Sequence, residues 1–250
     1  MSRSIVVSGG ASGIGRAIAA LFAADGDDVL IVGRRAKLLA ETAAEINGEV
    51  AAERVSALTA DLSTPAGADA VAAHVAGTGR SVDVLVNNAG GFFGLGDPQG
   101  DTARYAESWR ADFEGNVLTA VLLTFALTPQ LTRPGARIIS MSSIAALRGP
   151  GTYGGAKAAL HAWTFEQAAA LGPEGITANV IAPGYVADTE FFGDRITADG
   201  VAARVATTLV KRAGTPREVA ELARYLASPQ AGYVTGQVVQ INGGSMLGRG

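Results

Sequence analysis

The sequence predicts one α/β domain built on a parallel sheet. Apolar runs rich in β-branched residues alternate with segments of helical periodicity, a glycine-rich turn joins the first run to the first helical segment, and no linker rich in Gly, Pro or Ser divides the chain. Parallel strands need crossover connections, usually helices, so this alternation predicts a parallel sheet. A chain of 250 residues can bury one large core, and one domain over residues 1–250 is therefore the simplest interpretation.

Seven apolar runs are the predicted strands. They are Ile5–Val7, Val29–Val32, Val55–Leu58, Val84–Val86, Arg137–Met141, Thr177–Ile181 and Val238–Ile241. Crossover helices are expected from apolar residues at helical spacing, which are Ile14, Ile18, Leu21 and Phe22 after the first strand and Phe113, Val117, Val121 and Phe125 before the fifth. The stretch Tyr185–Gly200 breaks such patterns, because Gly, Asp and Thr interrupt its two phenylalanines. We expect a substrate flap over about residues 185–212.

The composition favours a small-molecule partner. A net charge of −3 with 17% charged residues leaves no basic tract of the kind that nucleic-acid binders carry. The absence of cysteine excludes disulfides and thiol chemistry, and the distant His74 and His161 lack metal-ligand spacing, so we expect no metal. The N-terminus enters a strand-like run without the apolar stretch of a signal peptide or membrane span. We expect a cytoplasmic protein with no nucleic-acid or membrane partner.

A glycine-rich turn, Ser8–Gly15, follows the first strand and opens a helix; it reads S-G-G-A-S-G-I-G. Glycines let the backbone turn tightly and approach a pyrophosphate, and the helix N-terminus supplies free N–H groups with a partial positive charge. The spacing G-x-x-x-G-x-G differs from the G-x-G-x-x-G fingerprint, and an ordinary glycine-rich turn is the alternative. Its place between a strand and a helix favours phosphate binding.

The end of the second strand reads V-G-R-R, Val32 to Arg35. An acidic residue there would accept the ribose 2′-hydroxyl of NAD, and Gly33 stands in that place instead. An arginine matches a 2′-phosphate, because its guanidinium makes charge-assisted and often bidentate bonds to phosphate oxygens. A pair of solvated arginines is the alternative. We predict NADP(H) ahead of NAD(H), with Arg34 and Arg35 as the candidate phosphate partners.

The fourth strand ends in N-N-A-G, Asn87 to Gly90. It lies at the carboxyl edge, where ligands of open parallel sheets collect, and its small residues allow a cofactor close approach. As an isolated tetrapeptide it is an ordinary turn, since Asn and Gly favour positive φ for local reasons. Its position in the sheet makes it a candidate cofactor contact.

Tyr153 and Lys157, in G-T-Y-G-G-A-K, are four residues apart and share one face of a helix. A free phenol has a pKa near 10, and a neighbouring ammonium favours its phenolate. A lowering of the Tyr153 pKa by ~3 units needs ~4 kcal/mol, which one cation in a partly desolvated site can supply with the cofactor's own charge. An exposed Tyr and Lys on a helix surface are the alternative, which the neighbouring motifs disfavour.

Three serines compete to hold a substrate oxygen against the phenol: Ser140, Ser142 and Ser143. In an unbroken strand Ser140 and Ser142 share a face, whereas Ser143 lies at the strand end, where functional loops begin. We favour Ser143. The other two are expected to bond nearby backbone.

Taken in this order, the motifs resemble the classical short-chain dehydrogenase/reductase family, particularly members similar to 3-oxoacyl-[acyl-carrier-protein] reductase. The matching segments are Ser8–Gly15, Asp61-Leu62, N-N-A-G, Asn116 in E-G-N-V, Ser143, Y-G-G-A-K, Pro183-Gly184 and the closing Y-V-T-G-Q-V-V-Q-I-N-G-G. The resemblance implies a Rossmann fold, with a doubly wound seven-stranded parallel sheet and helices on both faces. It also implies a homotetramer, with a homodimer as the alternative.

The resemblance implies four catalytic residues. Tyr153 would be the general acid in reduction and the base in oxidation. Lys157 would lower the pKa of Tyr153 and hold the nicotinamide ribose. Ser143 would polarise the substrate carbonyl, and Asn116 would sit at a helix distortion and hold a water that links Lys157 to solvent.

The resemblance also assigns a set of cofactor contacts. Asp61 would contact the adenine, Asn88 to Gly90 would line the ribose, and Val186 with Thr189 would contact the nicotinamide carboxamide. Arg34 aligns with the arginine of NADP-preferring relatives and is the favoured partner of the 2′-phosphate, with Arg35 either sharing the phosphate or remaining solvated. The whole set is Ser8, Gly9, Ser12, Gly13, Ile14, Gly15, Arg34, Arg35, Asp61, Leu62, Asn88, Ala89, Gly90, Tyr153, Lys157, Pro183, Gly184, Val186 and Thr189.

Three departures from the family pattern bear on the site. Ser8 replaces the usual Thr and keeps the hydroxyl. Ser143 lies only ten residues before Tyr153, so the loop 144–152 must close more tightly over the substrate. Thr189 stands one position later than in many relatives.

The predicted function is NADP(H)-dependent reduction of a small-molecule ketone or 3-oxoacyl carbonyl, or the reverse alcohol oxidation. The alternative is a non-catalytic nucleotide sensor or scaffold with the same fold, which loss of the Tyr, Lys or Ser would favour. An apolar substrate pocket is expected if six loop residues converge; they are Phe92, Phe93, Leu95, Tyr185, Phe191 and Phe192. Local packing of those residues is the alternative.

Overall fold

The fold is a seven-stranded parallel sheet, seen in a computed structural model that describes residues 2–96, 99–149, 151–191, 193 and 196–248. The strands are β1 (Ser4–Ser8), β2 (Asp28–Gly33), β3 (Val55–Thr59), β4 (Val84–Asn87), β5 (Arg137–Met141), β6 (Thr177–Pro183) and β7 (Val238–Ile241). Their order across the sheet is β3-β2-β1-β4-β5-β6-β7. The seven predicted strands are therefore confirmed, as is the predicted fold class.

Nine helices are assigned among the described residues. They are α1 (Gly13–Ala24), α2 (Ala36–Val50), α3 (Pro65–Gly77), α4 (Thr102–Phe113), α5 (Thr119–Leu127), α6 (Ala145–Arg148), α7 (Gly151–Leu171), α8 (Ala198–Ala206) and α9 (Pro216–Leu226). A π-helical turn, Glu114–Leu118, joins α4 to α5. Residues of α1, α2 and α9 pack on one face of the sheet and residues of α3, α5 and α7 on the other.

The core explains why the strands read as continuous apolar runs. Successive side chains of a strand point to opposite faces, so Ile5 and Val7 enter the core under α1, while Val6 enters the core on the other side. Both faces of this sheet are covered by helices, and neither needs polar residues.

The chain order reverses at the middle of the sheet. It runs outward from β1 through β2 to β3, then returns to pair β4 with the free side of β1. The crevice at such a reversal, outside the carboxyl ends of the strands, is where open α/β sheets bind ligands. Ser8 and Asn87 end the two strands that border it.

The segment between β4 and β5 is helical as predicted, but its aromatic residues do not mark the buried face. Phe113 is 39% exposed and Phe125 is 81% exposed, whereas the buried residues of α4 are Ser108 and Asp112. The apolar spacing located the helix. Its inward face is polar, because the loop that it contacts presents backbone amides.

Among the described residues, one helical stretch of 29 residues, Thr102–Gln130, is long and apolar enough by length and composition to cross a membrane, with a mean hydropathy of 1.2 over an 18-residue window. Such a match alone carries little weight, since core helices of globular proteins meet the same criterion. Here α4 packs against α7, and α5 packs against α3 and β4.

The segments expected to cover the substrate are partly described. Within 185–212, Val186 pairs with Gly214 as an isolated bridge and α8 follows; Phe192, Asp194 and Arg195 lie outside the described residues. The short loop 144–152 contains the single helical turn α6, and the guanidinium of Arg148 donates to the carbonyl of Ser245.

Candidate active site

The hydroxyl of Ser8 joins the two loops at the middle of the sheet. Its Oγ accepts hydrogen bonds from the backbone amides of Asn88 and Ala89, both at 2.9 Å. In return, the Asn88 side-chain amide donates to the carbonyls of Ser8 at 3.0 Å and Gly9 at 3.1 Å. The serine at this position therefore supplies the acceptor that ties the glycine-rich turn to the N-N-A-G turn.

Glycines of the glycine-rich turn stand where a side chain would clash or strain the backbone. A Cβ at Gly15 would lie 2.1 Å from the carbonyl oxygen of Gly9, and Gly9 and Gly13 have φ of +65° and +52°, a region that favours glycine. Ser12 precedes α1 without capping it through its side chain, so the first amides of α1 are available to an anion. This cradle fits the pyrophosphate of a dinucleotide.

The two arginines after β2 lie near different partners. Arg35 pairs with the Glu190 carboxylate at 2.8 Å and donates to Ser12 Oγ at 3.0 Å; its hydrogen bond holds the pKa of Glu190 below the usual range. Hydrogen bonds from Ser63 lower the pKa of Asp61, and the charge of Arg34 lowers it further. Arg34 thus lies towards Asp61, and Arg35 towards the glycine-rich turn.

A cavity of about 740 Å³ runs from the glycine-rich turn to Tyr153. It is lined by most of the predicted site residues, namely Gly9, Ser12, Gly13, Ile14, Arg34, Arg35, Asp61, Leu62, Asn88, Ala89, Gly90, Ser143, Tyr153, Lys157, Pro183, Gly184, Val186 and Thr189. Ser8, Gly15 and Asn116 are buried behind its wall. Residues as far apart in the sequence as Gly9 and Thr189 therefore meet in one cleft.

The apolar residues predicted for a substrate pocket converge in part. Phe92, Phe93 and Phe191 line the cavity, while Leu95 and Tyr185 are not among its lining residues. Phe192 lies outside the described residues. Among the described residues, no group of three or more His, Asp and Glu could hold a metal ion.

Lys157 is buried beneath Tyr153 on α7. Its Nζ lies 6.0 Å from the centroid of the phenol ring and donates to the carbonyl of Met141 at 2.9 Å. Burial lowers the pKa of Lys157 to about 8, and the Asp112 carboxylate opposes that fall. Lys157 is therefore mostly protonated at neutral pH, and it loses its proton at a pH only slightly higher.

The Tyr153 phenol lies close to two aromatic rings. The centroids of Phe92 and Phe191 are 6.2 Å and 5.3 Å from that of Tyr153. Burial raises the pKa of Tyr153 above its ordinary value, a hydrogen bond with Ser143 opposes the rise, and Asp112 adds to it. The rise is opposite to the lowering that we expected, because exclusion of water from the phenol outweighs its hydrogen bond with Ser143. A phenol in this state keeps its proton at neutral pH and can donate it.

The three candidate serines occupy different environments. Ser143 contacts the Tyr153 hydroxyl. Ser142 Oγ donates to the carbonyl of Lys157 at 3.1 Å and lies 2.8 Å from Nε2 of His161. Ser140 Oγ is buried without a hydrogen-bond partner among the described residues. Ser142 and Ser143 both line the cavity, and Ser143 is the one that bonds the phenol.

Asn116 lies in the π-helical turn after α4. Its side chain donates to the carbonyl of Gly91 at 2.9 Å and that of Asp112 at 3.0 Å, and it accepts from the Gly91 amide at 3.0 Å. A Cβ at Gly90 would lie 2.6 Å from Asn116 Oδ1 and 2.8 Å from Lys157 Nζ. Asn116 and Lys157 therefore flank the same glycine, at the distortion that the resemblance implied.

Sequence reasoning missed Asp112. This residue is fully buried; its Oδ1 accepts from the Phe93 amide at 2.9 Å and its Oδ2 from the Thr152 hydroxyl at 2.5 Å. One signal was available, because Asp112 lies four residues before Asn116 and thus on the same helical face.

The chain is similar to known reductases along nearly its whole length. A family profile described as Enoyl-(Acyl carrier protein) reductase matches residues 9–246. The short-chain reductase protein NovJ of Streptomyces niveus is 35% identical over 255 residues, covering 96% of this chain and 92% of that protein.

Solved structures agree with this match. A short chain dehydrogenase from Burkholderia cenocepacia in complex with NADP gives a TM-score of 0.86 at 32% identity, covering 98% of this chain and 97% of that one. A 3-oxoacyl-[acyl-carrier protein] reductase with bound NAD from Brucella melitensis gives 0.84 at 31% identity, covering 98% and 92%. The predicted resemblance is confirmed, and the chain belongs to the short-chain dehydrogenase/reductase family of oxidoreductases.

Proposed function

We propose that the chain is an NADP(H)-dependent carbonyl reductase or alcohol dehydrogenase in which Tyr153 transfers the proton. The observation that carries this proposal is the meeting of Ser143, Tyr153 and Lys157 at one end of a cleft that begins at the glycine-rich turn. A shared cleft lets a substrate carbonyl lie beside both a proton donor and a dinucleotide.

The residues of the cleft fit a dinucleotide along its length. Gly9 and the first amides of α1 would hold the pyrophosphate, Asn88 to Gly90 and Lys157 the nicotinamide ribose, and Val186 with Thr189 the carboxamide. When bound, the dinucleotide supplies or accepts the hydride. Side chains of this protein would transfer the proton and position the substrate carbonyl.

Tyr153 donates its proton to the carbonyl oxygen of the substrate, and Ser143 donates a hydrogen bond to the same oxygen. Lys157 carries the positive charge that stabilises the phenolate left on Tyr153. Phe92 and Phe191 exclude water from the phenol, which keeps it protonated until the substrate oxygen is in place. Alcohol oxidation uses the same groups in reverse, with the phenolate as base.

The choice of NADP(H) rests on Arg34 and Arg35, which line the cleft where no acidic side chain follows β2. An acidic residue there would repel a 2′-phosphate, whereas a guanidinium binds it. One similar structure holds NADP and another holds NAD. The preference therefore depends on the residues of this chain rather than on its family.

The substrate proposed is a ketone or 3-oxoacyl compound with an apolar group beside the carbonyl. Phe92, Phe93 and Phe191 supply the apolar surface at the catalytic end of the cleft.

Three further properties remain predictions: a single domain with its flap at residues 185–212, a cytoplasmic location and a homotetramer. Exposed aromatic residues on α5 and α7, Phe125 and Phe165, offer apolar surface for assembly.

The test is turnover of a ketone panel by the purified protein, followed by NADPH absorbance, in wild type and Tyr153→Phe. The substitution removes one hydroxyl and leaves the ring, so turnover should fall by about 10²–10⁴-fold while NADPH still binds. The matched control is Tyr225→Phe, which makes the same change at an exposed tyrosine of α9 and should retain full activity. Activity of Tyr153→Phe within a few-fold of wild type would contradict the proposal, and NADPH binding without any turnover in wild type would favour the sensor.

A further inference from the structure

Helix α4 presents polar residues to the loop that follows β4. Its buried residues are Ser108 and Asp112, and Asn116 follows in the π-helical turn. Residues four apart lie one above another on a helix, so these three form a row along one face.

Each member of this row accepts a hydrogen bond from the loop 91–95. The amide of Leu95 donates to Ser108 Oγ at 3.0 Å, that of Phe93 to Asp112 Oδ1 at 2.9 Å, and that of Gly91 to Asn116 Oδ1 at 3.0 Å.

The match in length explains this ladder. A helix rises about 6 Å over four residues, and extended backbone advances about 6.6 Å over two, so every second amide of the loop meets an acceptor. The loop therefore runs antiparallel to α4, held at three successive points. Phe92, between two of those points, has its ring centroid 6.2 Å from that of Tyr153.

Asp112 is the charged member of the row, and it reaches a third element. Its second oxygen accepts from the hydroxyl of Thr152, which immediately precedes Tyr153 in the first turn of α7. A fully buried carboxylate is costly unless donors or a cation compensate it. Asp112 accepts hydrogen bonds from the Phe93 amide and the Thr152 hydroxyl. The buried cation Lys157 interacts electrostatically with its carboxylate.

The negative charge of Asp112 acts on the two residues that are proposed to catalyse proton transfer. From α7, Tyr153 and Lys157 face Asp112: burial raises the pKa of Tyr153 and Asp112 adds to the rise, whereas burial lowers the pKa of Lys157 and Asp112 opposes the fall. The loop 91–96 has no titratable residue. The charged residues of α4 and the π-helical turn other than Asp112 are exposed; they are Arg104, Glu107, Arg110 and Glu114.

We propose that Asp112 is a positioning residue for proton transfer at Tyr153: its buried carboxylate ties the loop 91–95 and the first turn of α7 around the phenol and keeps a negative charge beside the Tyr153–Lys157 pair. The inference rests on the proposed role of Tyr153. The carboxylate of Asp112 would then influence how readily Tyr153 and Lys157 lose their protons.

The test is Asp112→Asn, read as the pH profile of kcat/KM for alcohol oxidation. The amide keeps the shape and an acceptor for Phe93 but loses the charge. Removing a negative charge favours proton loss from Tyr153 and from Lys157 alike, so the profile should move to lower pH, by about one unit. A melting temperature measured on the same sample shows whether the fold is intact.

Thr152→Val is the matched control, because it removes one donor to Asp112 and keeps the carboxylate charge. It should lower kcat several-fold without moving the midpoint, and Thr152→Ser should restore kcat. An unmoved midpoint in Asp112→Asn, or an equal movement in Thr152→Val, would overturn the inference. If Asp112→Asn does not fold, the Thr152 pair decides, since wild-type kcat in Thr152→Val contradicts a positioning role.

The failure of this inference is distinguishable from failure of the proposed function. Active Tyr153→Phe protein would remove the proton-transfer role itself, whatever Asp112 does. Inactive Tyr153→Phe protein together with an unmoved profile in Asp112→Asn would leave the role of Tyr153 intact and reject that of Asp112.

Discussion

The two ends of the cleft present different chemical groups. The phosphate end, which consists of the glycine-rich turn 8–15 with Arg34 and Arg35, offers backbone amides and exposed guanidinium groups; the side chain of Arg35 is 57% exposed. The catalytic end, which consists of Asp112, Asn116, Ser143, Tyr153 and Lys157, offers side chains that are buried or partly buried, and Lys157 is 3% exposed. A single charge should therefore have a larger effect at the catalytic end than at the phosphate end.

At the catalytic end, a charge acts with little solvent screening. Burial brings the pKa of Lys157 down to about 8, which shows how strongly that environment discriminates between charge states. At the phosphate end, water and salt screen the ion pair between Arg35 and Glu190, whose side chains are 57% and 60% exposed. Substitutions should therefore rank in effect from Lys157 through Arg34 to Glu190.

Lys157→Met should have the largest effect of these three. It replaces a buried ammonium by an apolar chain of similar length, so the phenolate of Tyr153 loses its counter-charge and the nicotinamide ribose loses a donor. We expect kcat for ketone reduction to fall by about 10²-fold or more, with weaker NADPH binding by fluorescence titration.

The pH dependence gives a second readout of the same change. Because the lowered pKa of Lys157 lies at about 8, its charge is present below that pH and lost above it, and wild-type reduction should decline as pH rises through this range. Lys157→Met should lack that decline, and Lys37→Met, which alters a lysine whose side chain is 89% exposed, should keep it. A decline of equal size in Lys157→Met would show that another group titrates there.

Arg34→Ala tests the phosphate end at an intermediate magnitude. One charge-assisted bond to a 2′-phosphate contributes ~1.5–3 kcal/mol, so the dissociation constant for NADPH should rise by roughly ten- to more than a hundredfold, while that for NADH stays nearly constant. Measurements at matched ionic strength are needed, because salt weakens phosphate contacts.

Arg35→Ala is the companion variant of Arg34→Ala. Arg35 is already engaged by Glu190 and Ser12, so its loss should weaken NADPH binding less than the loss of Arg34. Equal affinities of wild type for NADPH and NADH would reject the assigned preference. A larger effect at Arg35 would transfer the phosphate contact to that residue.

The same contrast explains what the sequence predicts well. The strands and the glycine-rich turn depend on local pattern and on backbone conformation, so Ser8–Gly15 and β1 could be placed from neighbouring residues alone. Arg34 and Arg35 could be named for the same reason, since they follow a strand end directly. Their different partners, Asp61 and Glu190, could not be assigned, because those contacts join separate parts of the chain.

The catalytic end depends on contacts between distant residues, which no local pattern contains. The spacing of Tyr153 and Lys157 is visible in the sequence, but the direction of the Tyr153 pKa depends on burial beside Phe92 and Phe191. Asp112 looked like an ordinary polar helix residue because apolar spacing drew attention to its neighbour Phe113, which is exposed. The packing of α4 on the loop 91–95 is what buries Asp112.

Glu190→Gln should have the smallest effect and tests the screened character of the phosphate end. The Glu190 carboxylate bonds Arg35, which also reaches Ser12 at the start of α1, so it competes with a cofactor phosphate for the same guanidinium. An exposed ion pair contributes about 0.2–1 kcal/mol, and its removal should tighten NADPH binding by at most about fivefold. The gain should shrink as ionic strength rises, because salt screens the competing carboxylate as well. Glu41→Gln, which alters an exposed carboxylate paired with Lys37, is the matched control and should leave the dissociation constant unchanged. Weaker NADPH binding in Glu190→Gln would mean that the carboxylate orients Arg35 for the phosphate instead of competing with it.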